Sequence, residues 1–193
     1  MNYIKYLLIS ISILFSNTIF SQDTLGMKET YIDNNLVYKM NGEKFTGIAQ
    51  SKRKNGHLVY EEIYSDGIIQ YSNLYFNGKE KIVYIKTIYN RNKLWVVQKE
   101  IRFRHSKDTL EVKTYDENGK KTLLTQFENN RVTYTCEYNG KKKNGLALGY
   151  ANGDGKITYR CEYFNGKKDG EEFCIKENGK KWTKKYKNGK RIK

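Results

Sequence analysis

A chain of 193 residues with a net charge of +15, 17 tyrosines, 2 histidines and no proline is long enough for one domain or a short repeat array. Its two histidines stand apart and no CxxC pair occurs, which argues against a zinc site. The basic balance points to an acidic or anionic neighbour and says nothing about fold.

Residues 1–21 are read first as a targeting segment. Lys5 precedes an apolar run from Tyr6 to Phe15, and Ser21 offers a small residue for cleavage, so a secretory signal and an exported protein are expected, periplasmic or extracellular. A retained signal anchor is the rival, but the apolar run is shorter than the ~20 residues a spanning helix needs. No cysteine stands at the cleavage point to suggest a lipid anchor, and nothing later is apolar enough to span a bilayer. Residues 22–35 are expected to be a linker, and 36–193 a repeat domain.

From residue 38 the chain reads YKMNGEKFTGIAQSKRKNGHLVYEEIYSDG, with corners at Asn41-Gly42, Asn55-Gly56 and Asp66-Gly67. Asn-Gly tolerates the positive φ of tight hairpin turns, so these pairs between alternating runs predict hairpins. Gly42 and Gly67 are 25 residues apart. Further corners follow at Asn77-Gly78 and Asn118-Gly119. Between about 79 and 110 the rhythm weakens, although IVYIKTIYNRNKLWVVQKEIRFRH still predicts strands around a turn at Asn90 to Asn92.

The repeat is clearest at the end. With an offset of 25, Val132, Tyr134, Cys136 and Tyr138 superpose on Ile157, Tyr159, Cys161 and Tyr163. Trp182, Lys184 and Tyr186 form a poorer third copy at an offset of 23. The alternation predicts half-buried strands with each matched set on one face. Each strand meets a corner, at Asn139-Gly140, Asn165-Gly166 and Asn188-Gly189. NGKKKNG and NGKKDG are expected to be longer loops closed by Gly145 and Gly170, with their lysines on exposed turns. No helix longer than two turns is expected.

NGEKFTG (41–47), KNGHLVYEEIYSDG (54–67) and YFNGKKDG (163–170) resemble the MORN repeat variant family, over roughly 36–78 and 110–193. That family includes bacterial proteins labelled as antitoxins of a deaminase-type toxin–antitoxin system. The resemblance implies an all-β fold in which hairpins stack edge to edge into an elongated, open antiparallel sheet. Strand spacing suggests five to seven hairpins. The third C-terminal copy is truncated and the central copies lack the glycine pattern. In such an array many tyrosines stand in for one deep core.

No catalytic constellation is found: Glu61-Glu62 and Glu171-Glu172 are adjacent, so the members of each pair point to opposite faces of a strand. No cofactor is implied. If Phe164 lies opposite Glu171, then Cys161 falls opposite Cys174, a candidate disulfide. The plainer reading makes all three cysteines small buried fillers. Cys136 and Cys161 should be separated by one strand and too far apart to bridge.

Lys180, Lys181, Lys184, Lys185, Lys187, Lys190, Arg191 and Lys193 form a basic end without an acidic residue. They are the candidate contact for an anionic partner; the rival role is a solvated fringe guarding an open edge. Nucleic acid is disfavoured by the export signal. The expected function is a non-enzymatic exported binding or scaffold module at the cell envelope. Its partner would be a protein or an anionic envelope surface, and the family resemblance adds an immunity-type alternative in which the partner is a toxin.

Overall fold

The computed structural model describes residues 23–151, 155–176 and 178–193. The expected signal segment lies outside the described residues. Sixteen strands are present: β1 (Asp23–Gly26), β2 (Thr30–Asp33), β3 (Leu36–Lys39), β4 (Gly47–Lys52), β5 (Leu58–Ser65), β6 (Ile68–Tyr75), β7 (Val83–Tyr89), β8 (Val97–Phe103), β9 (Thr109–Tyr115), β10 (Lys121–Glu128), β11 (Arg131–Asn139), β12 (Lys142–Tyr150), β13 (Ile157–Phe164), β14 (Lys167–Ile175), β15 (Lys181–Lys187) and β16 (Lys190–Ile192). The only helical element among the described residues is a 3-10 turn, Met27–Glu29.

Strands β4 to β16 form one antiparallel meander in sequence order, and the sheet stays open. At its N-terminal edge β1 runs parallel to β4, pairing Leu25 with Ala49. β2 and β3 make a separate hairpin. The all-β, open hairpin-repeat architecture is therefore present. The linker expected over 22–35 is not: residues 23–33 contribute β1, the 3-10 turn and β2. Four-residue strands are too short to show a period. Their turn, Asn34-Asn35, has both φ values positive (45° and 65°) without a glycine to announce it.

Among the described residues a conventional core is formed near the N-terminus. Val37, Phe45, Ala49, Tyr64 and Ile69 are buried together, with Leu25, Met27, Tyr89 and Trp95 packed around them. The β2–β3 hairpin lies over this part of the sheet, and the Trp95 indole N–H donates to the Asn35 carbonyl at 2.9 Å. From β7 onward, strands make their substantial contacts with sheet neighbours alone.

The corners at Asp66-Gly67, Asn165-Gly166 and Asn188-Gly189 have both residues at positive φ, 52° and 75°, 50° and 86°, 51° and 83°. Those are two-residue type I′ turns. Asn139 instead pairs with Lys142, which makes Gly140 the first central residue, at φ 62°. That is the type II′ arrangement.

The longer loops expected at NGKKKNG and NGKKDG do not form. Pairing resumes immediately, Phe164 with Lys167 and Tyr163 with Lys168. The surplus residues are taken up by bulges inside the strands, where Glu137 faces Asn144 to Leu146 and Glu162 faces Asp169 to Glu171. Gly145 and Gly170 sit in these bulges at φ 108° and 120°. A Cβ on Gly170 would fall 2.9 Å from the Glu162 Cβ and drive into its carboxylate.

This shift corrects the cysteine register. Cys161 lies opposite Glu172, and Cys174 lies opposite Tyr159, so the two cysteines are diagonal neighbours on one face and not a direct pair. All three thiols are free. Cys136, Ala147 and Cys161 form one row, with a strand between the two cysteines as expected. Tyr134 and Cys136 share the face of Tyr159 and Cys161. Bulges move Val132 and Ile157 out of that row, to partners Phe127 and Tyr150, and leave them 39% and 41% exposed.

The bulges also dock successive hairpins. The Gly166 N–H donates to the Lys143 carbonyl and the Gly189 N–H to the Lys168 carbonyl, both at 2.8 Å. Beside them, Asn144 Oδ1 accepts from the Asn165 N–H at 3.1 Å, and Asp169 Oδ2 from the Asn188 N–H at 3.3 Å. The same latch holds Gly67 to the Phe45 carbonyl (2.8 Å) and Asp66 to Thr46 Oγ1 (2.8 Å). The turns at Gly166 and Gly189 are thus fixed beside the bulge of the hairpin before, and the turn at Gly67 by the segment leading into β4.

Gly170→Ala combines a left-handed φ with a clash against Glu162 and should cost about 2–3 kcal/mol, seen as a lower urea midpoint. Gly179→Ala, at φ 75° with open space around its Cβ, should cost only about 1 kcal/mol. Thiol labelling of the native chain should modify half-buried Cys174 first. Cys136 and Cys161, 0% and 1% exposed, should react only on unfolding.

Candidate functional site

Strand pairing aligns side chains into rows across the sheet, because paired residues share a face. One row runs Glu100, Lys113, Leu124, Cys136, Ala147, Cys161, Glu172, Lys184. Small buried residues at its centre leave a floor. Tyr134 and Tyr159 flank it, both opposite Gly149, where a Cβ would lie 3.0 Å from that of Tyr159.

Parallel to this floor, near the turns at one end of the strands, a second row alternates aromatic and cationic residues. Its pairs are Tyr115 with Lys121, Tyr138 with Lys143, Tyr163 with Lys168, and Tyr186 with Arg191. These are equivalent positions in four successive hairpins, one pair on each from β9 to β16. Each lysine also lies over the next tyrosine. Lys121 Nζ is 3.3 Å from the centre of the Tyr138 ring, Lys143 4.9 Å from Tyr163, and Lys168 5.0 Å from Tyr186. Cation–π attraction of this kind holds the ammonium groups at fixed steps.

Lys143 and Lys168 are half-buried here, which corrects the expectation that the lysines around these corners only decorate exposed turns. Burial raises the phenol pKa values of Tyr115, Tyr138, Tyr163 and Tyr186, so the rings stay neutral at physiological pH. Burial, with Lys113 nearby, lowers the pKa of Lys121. Lys168 is different. It forms an ion pair with Glu172, itself 4% exposed, and although burial opposes its charge, the Glu172 carboxylate raises its pKa overall.

The basic end is not one patch. Lys184 and Arg191 lie on the tyrosine face, while Lys181, Lys185, Lys187 and Lys190 alternate onto the other face of β15 and β16. Lys187 pairs with Asp169 at 3.0 Å. Lys180 precedes β15, donating its backbone N–H to Asn178 Oδ1 at 3.1 Å, and Lys193 follows β16. Sequence order had grouped these charges; the pleat separates them. Lys121, Lys143 and Lys168 complete the ladder from outside that group, and their recurrence two or three residues after the glycine of a corner was the available signal.

The adjacent carboxylates separate as expected. Glu62 faces the tyrosine side, accepting from Tyr60 (2.9 Å) and Tyr64 (2.5 Å). Glu61 faces the other side, buried, accepting from Tyr75, Asn73 (3.0 Å), Lys81 (3.2 Å) and Gln50 (3.3 Å). Among the described residues no cluster of three or more His, Cys, Asp or Glu is arranged to hold a metal ion. No protein-family model matches the chain, and no curated protein matches it either.

Glu172 supplies a pH test. Burial pushes its pKa up, but hydrogen bonds from Lys168 and Tyr186 with the charges of Lys168 and Lys184 outweigh that and hold it below 4.5. The ionised carboxylate therefore stabilises the fold fully above its ordinary pKa, and that contribution is lost as pH falls through the depressed value. Glu172→Gln should lower the urea midpoint at pH 7, by about 1–3 kcal/mol for the disrupted ion pair, and flatten its decline between about pH 5 and pH 2.

Proposed function

We propose that this chain is an exported, non-enzymatic β-hairpin repeat protein of MORN-like type that binds a protein partner at the cell envelope through the tyrosine–lysine ladder. The observation that carries this reading is a face of half-buried rings with three half-buried lysines and the exposed Arg191, spread over eight strands, over which no other element packs among the described residues. Aromatic and cationic groups held in fixed positions are the usual anchors of protein interfaces. In the N-terminal part the same face is covered by the β2–β3 hairpin and its aromatic cluster, and the tyrosine–cation pairs begin at β9.

The distribution of charge favours a protein over a bilayer. A flat anionic surface meets one face at a time, whereas the last two strands divide their lysines between both faces. The ladder lies on one face only.

The test is capture from envelope extract with the immobilised chain from residue 22 onward, followed by identification of what is retained. Lys121→Gln/Lys143→Gln/Arg191→Gln should lose the partner, while Lys181→Gln/Lys185→Gln on the opposite face should keep it. Equal capture by both variants would remove the ladder from the interface. Co-sedimentation with anionic vesicles in preference to protein capture would replace the proposal with lipid binding.

A further inference from the structure

We infer that the ladder receives an extended acidic segment of its partner, lying across the strands in polyproline II conformation with a carboxylate at every third residue. The inference rests on the reading above and deepens it.

The argument is one of spacing. Lys121, Lys143, Lys168 and Arg191 stand on alternate strands, β10, β12, β14 and β16, at equivalent register positions. Neighbouring strands are about 4.8 Å apart, so the cations recur every ~9.6 Å along a line perpendicular to the strands. A polyproline II segment rises ~3.1 Å per residue and has three residues per turn, so its equivalent side chains recur every ~9.3 Å. Over the three steps of the ladder the mismatch is only about 1 Å, within the reach of a lysine. An extended β-strand repeats on one side every ~6.8 Å and falls roughly 8 Å out of step over the same distance. An α-helix returns to the same side every two turns, ~10.8 Å, and falls roughly 4 Å out of step, still several times worse than polyproline II.

The rings between the cations fit the same ligand. Polyproline II segments dock in aromatic-lined grooves, and they lose little entropy on binding because they are already extended. Tyr138, Tyr163 and Tyr186 alternate with the cations and present such a lining. Charge selects the sign of the partner. Lys121, Lys143 and Arg191 form no ion pair with a carboxylate among the described residues. Lys168 is already committed to Glu172. The acidic residue of the ligand that meets Lys168, one of its two inner positions, therefore faces a neutralised pair, and a glutamine there should bind as well as a glutamate.

The probes are 12-residue synthetic peptides of equal composition, titrated calorimetrically into the chain from residue 22 onward. One carries glutamate at every third position with prolines between, one alternates glutamate at every second position, and one clusters all its glutamates at one end. The first should bind at least tenfold tighter than the other two, and weaken with rising salt. It should keep its affinity with glutamine at one of its two inner acidic positions but not at the other, and lose it with the Lys121→Gln/Lys143→Gln/Arg191→Gln variant. Equal affinity of the three peptides would overturn the spacing argument. A linear polyuronate that binds more tightly than any peptide, and only to the intact ladder, would overturn the peptide class. If no peptide binds but partner capture still depends on the ladder, this inference fails and the function proposed above stands. If capture is also indifferent to the ladder, both fail.

Discussion

The hydrogen bond from a turn glycine to a carbonyl of the preceding hairpin organises the array from β10 to β16. Gly140 donates to Lys121, Gly166 to Lys143 and Gly189 to Lys168, at 3.0, 2.8 and 2.8 Å. A two-residue turn brings a backbone N–H to the outside of the corner, and a bulge in the neighbouring hairpin turns a carbonyl to meet it. Burying either group unpaired would cost on the order of 1–3 kcal/mol, so the register of one hairpin is set by the one before. The acceptors are the carbonyls of the ladder lysines themselves. The bond that fixes the repeat also fixes the backbone from which each ammonium group is displayed.

Tyrosine makes this workable without a deep core. Along β11 to β14 the face alternates Tyr-Cys-Tyr with Gly-Ala-Gly and with Gly-Glu-Cys, and β15 follows with Trp-Lys-Tyr, so bulky strands lie beside bare ones. A ring can then cover a neighbour's backbone while its hydroxyl remains near water. Such contacts shield the sheet's hydrogen bonds on one side and leave an aromatic surface on the other. Only at the N-terminus, where Phe45, Tyr64 and Trp95 meet under a covering hairpin, does the array acquire a dry interior.

Much of this was legible in sequence because turn chemistry is local. Positive φ is demanded by the turn itself, so Asn165-Gly166 and Asn188-Gly189 announced their corners, and the 25-residue offset announced that Cys136 and Cys161 share a face with one strand between. What was not legible depends on where surplus residues go. NGKKDG can close as a long loop or as a tight turn followed by a bulge, and these differ by two residues in the pairing of Cys161. The choice is decided by the latch to the next hairpin, a contact 19 to 21 residues away. The ladder was hidden for a related reason. Its cations come from four different hairpins, and the contiguous lysines of residues 180–193, which drew notice, are dealt alternately to two faces by the pleat.

An array of this kind separates stability from recognition more cleanly than a globular domain does. Each hairpin contacts only its neighbours beyond β7, so its folding energy is close to a sum of unit and interface contributions. The groups holding the hairpins together are turn and bulge backbone, buried small residues and Glu172. The groups that would meet the proposed partner are ring faces and cationic ends whose loss uncovers no buried polar atom. Lys168 is the exception, because it serves the ladder and neutralises Glu172 at once. It is consequently the rung at which the proposed recognition cannot be varied independently of folding, whereas Lys121, Lys143 and Arg191 can be replaced while the sheet remains intact.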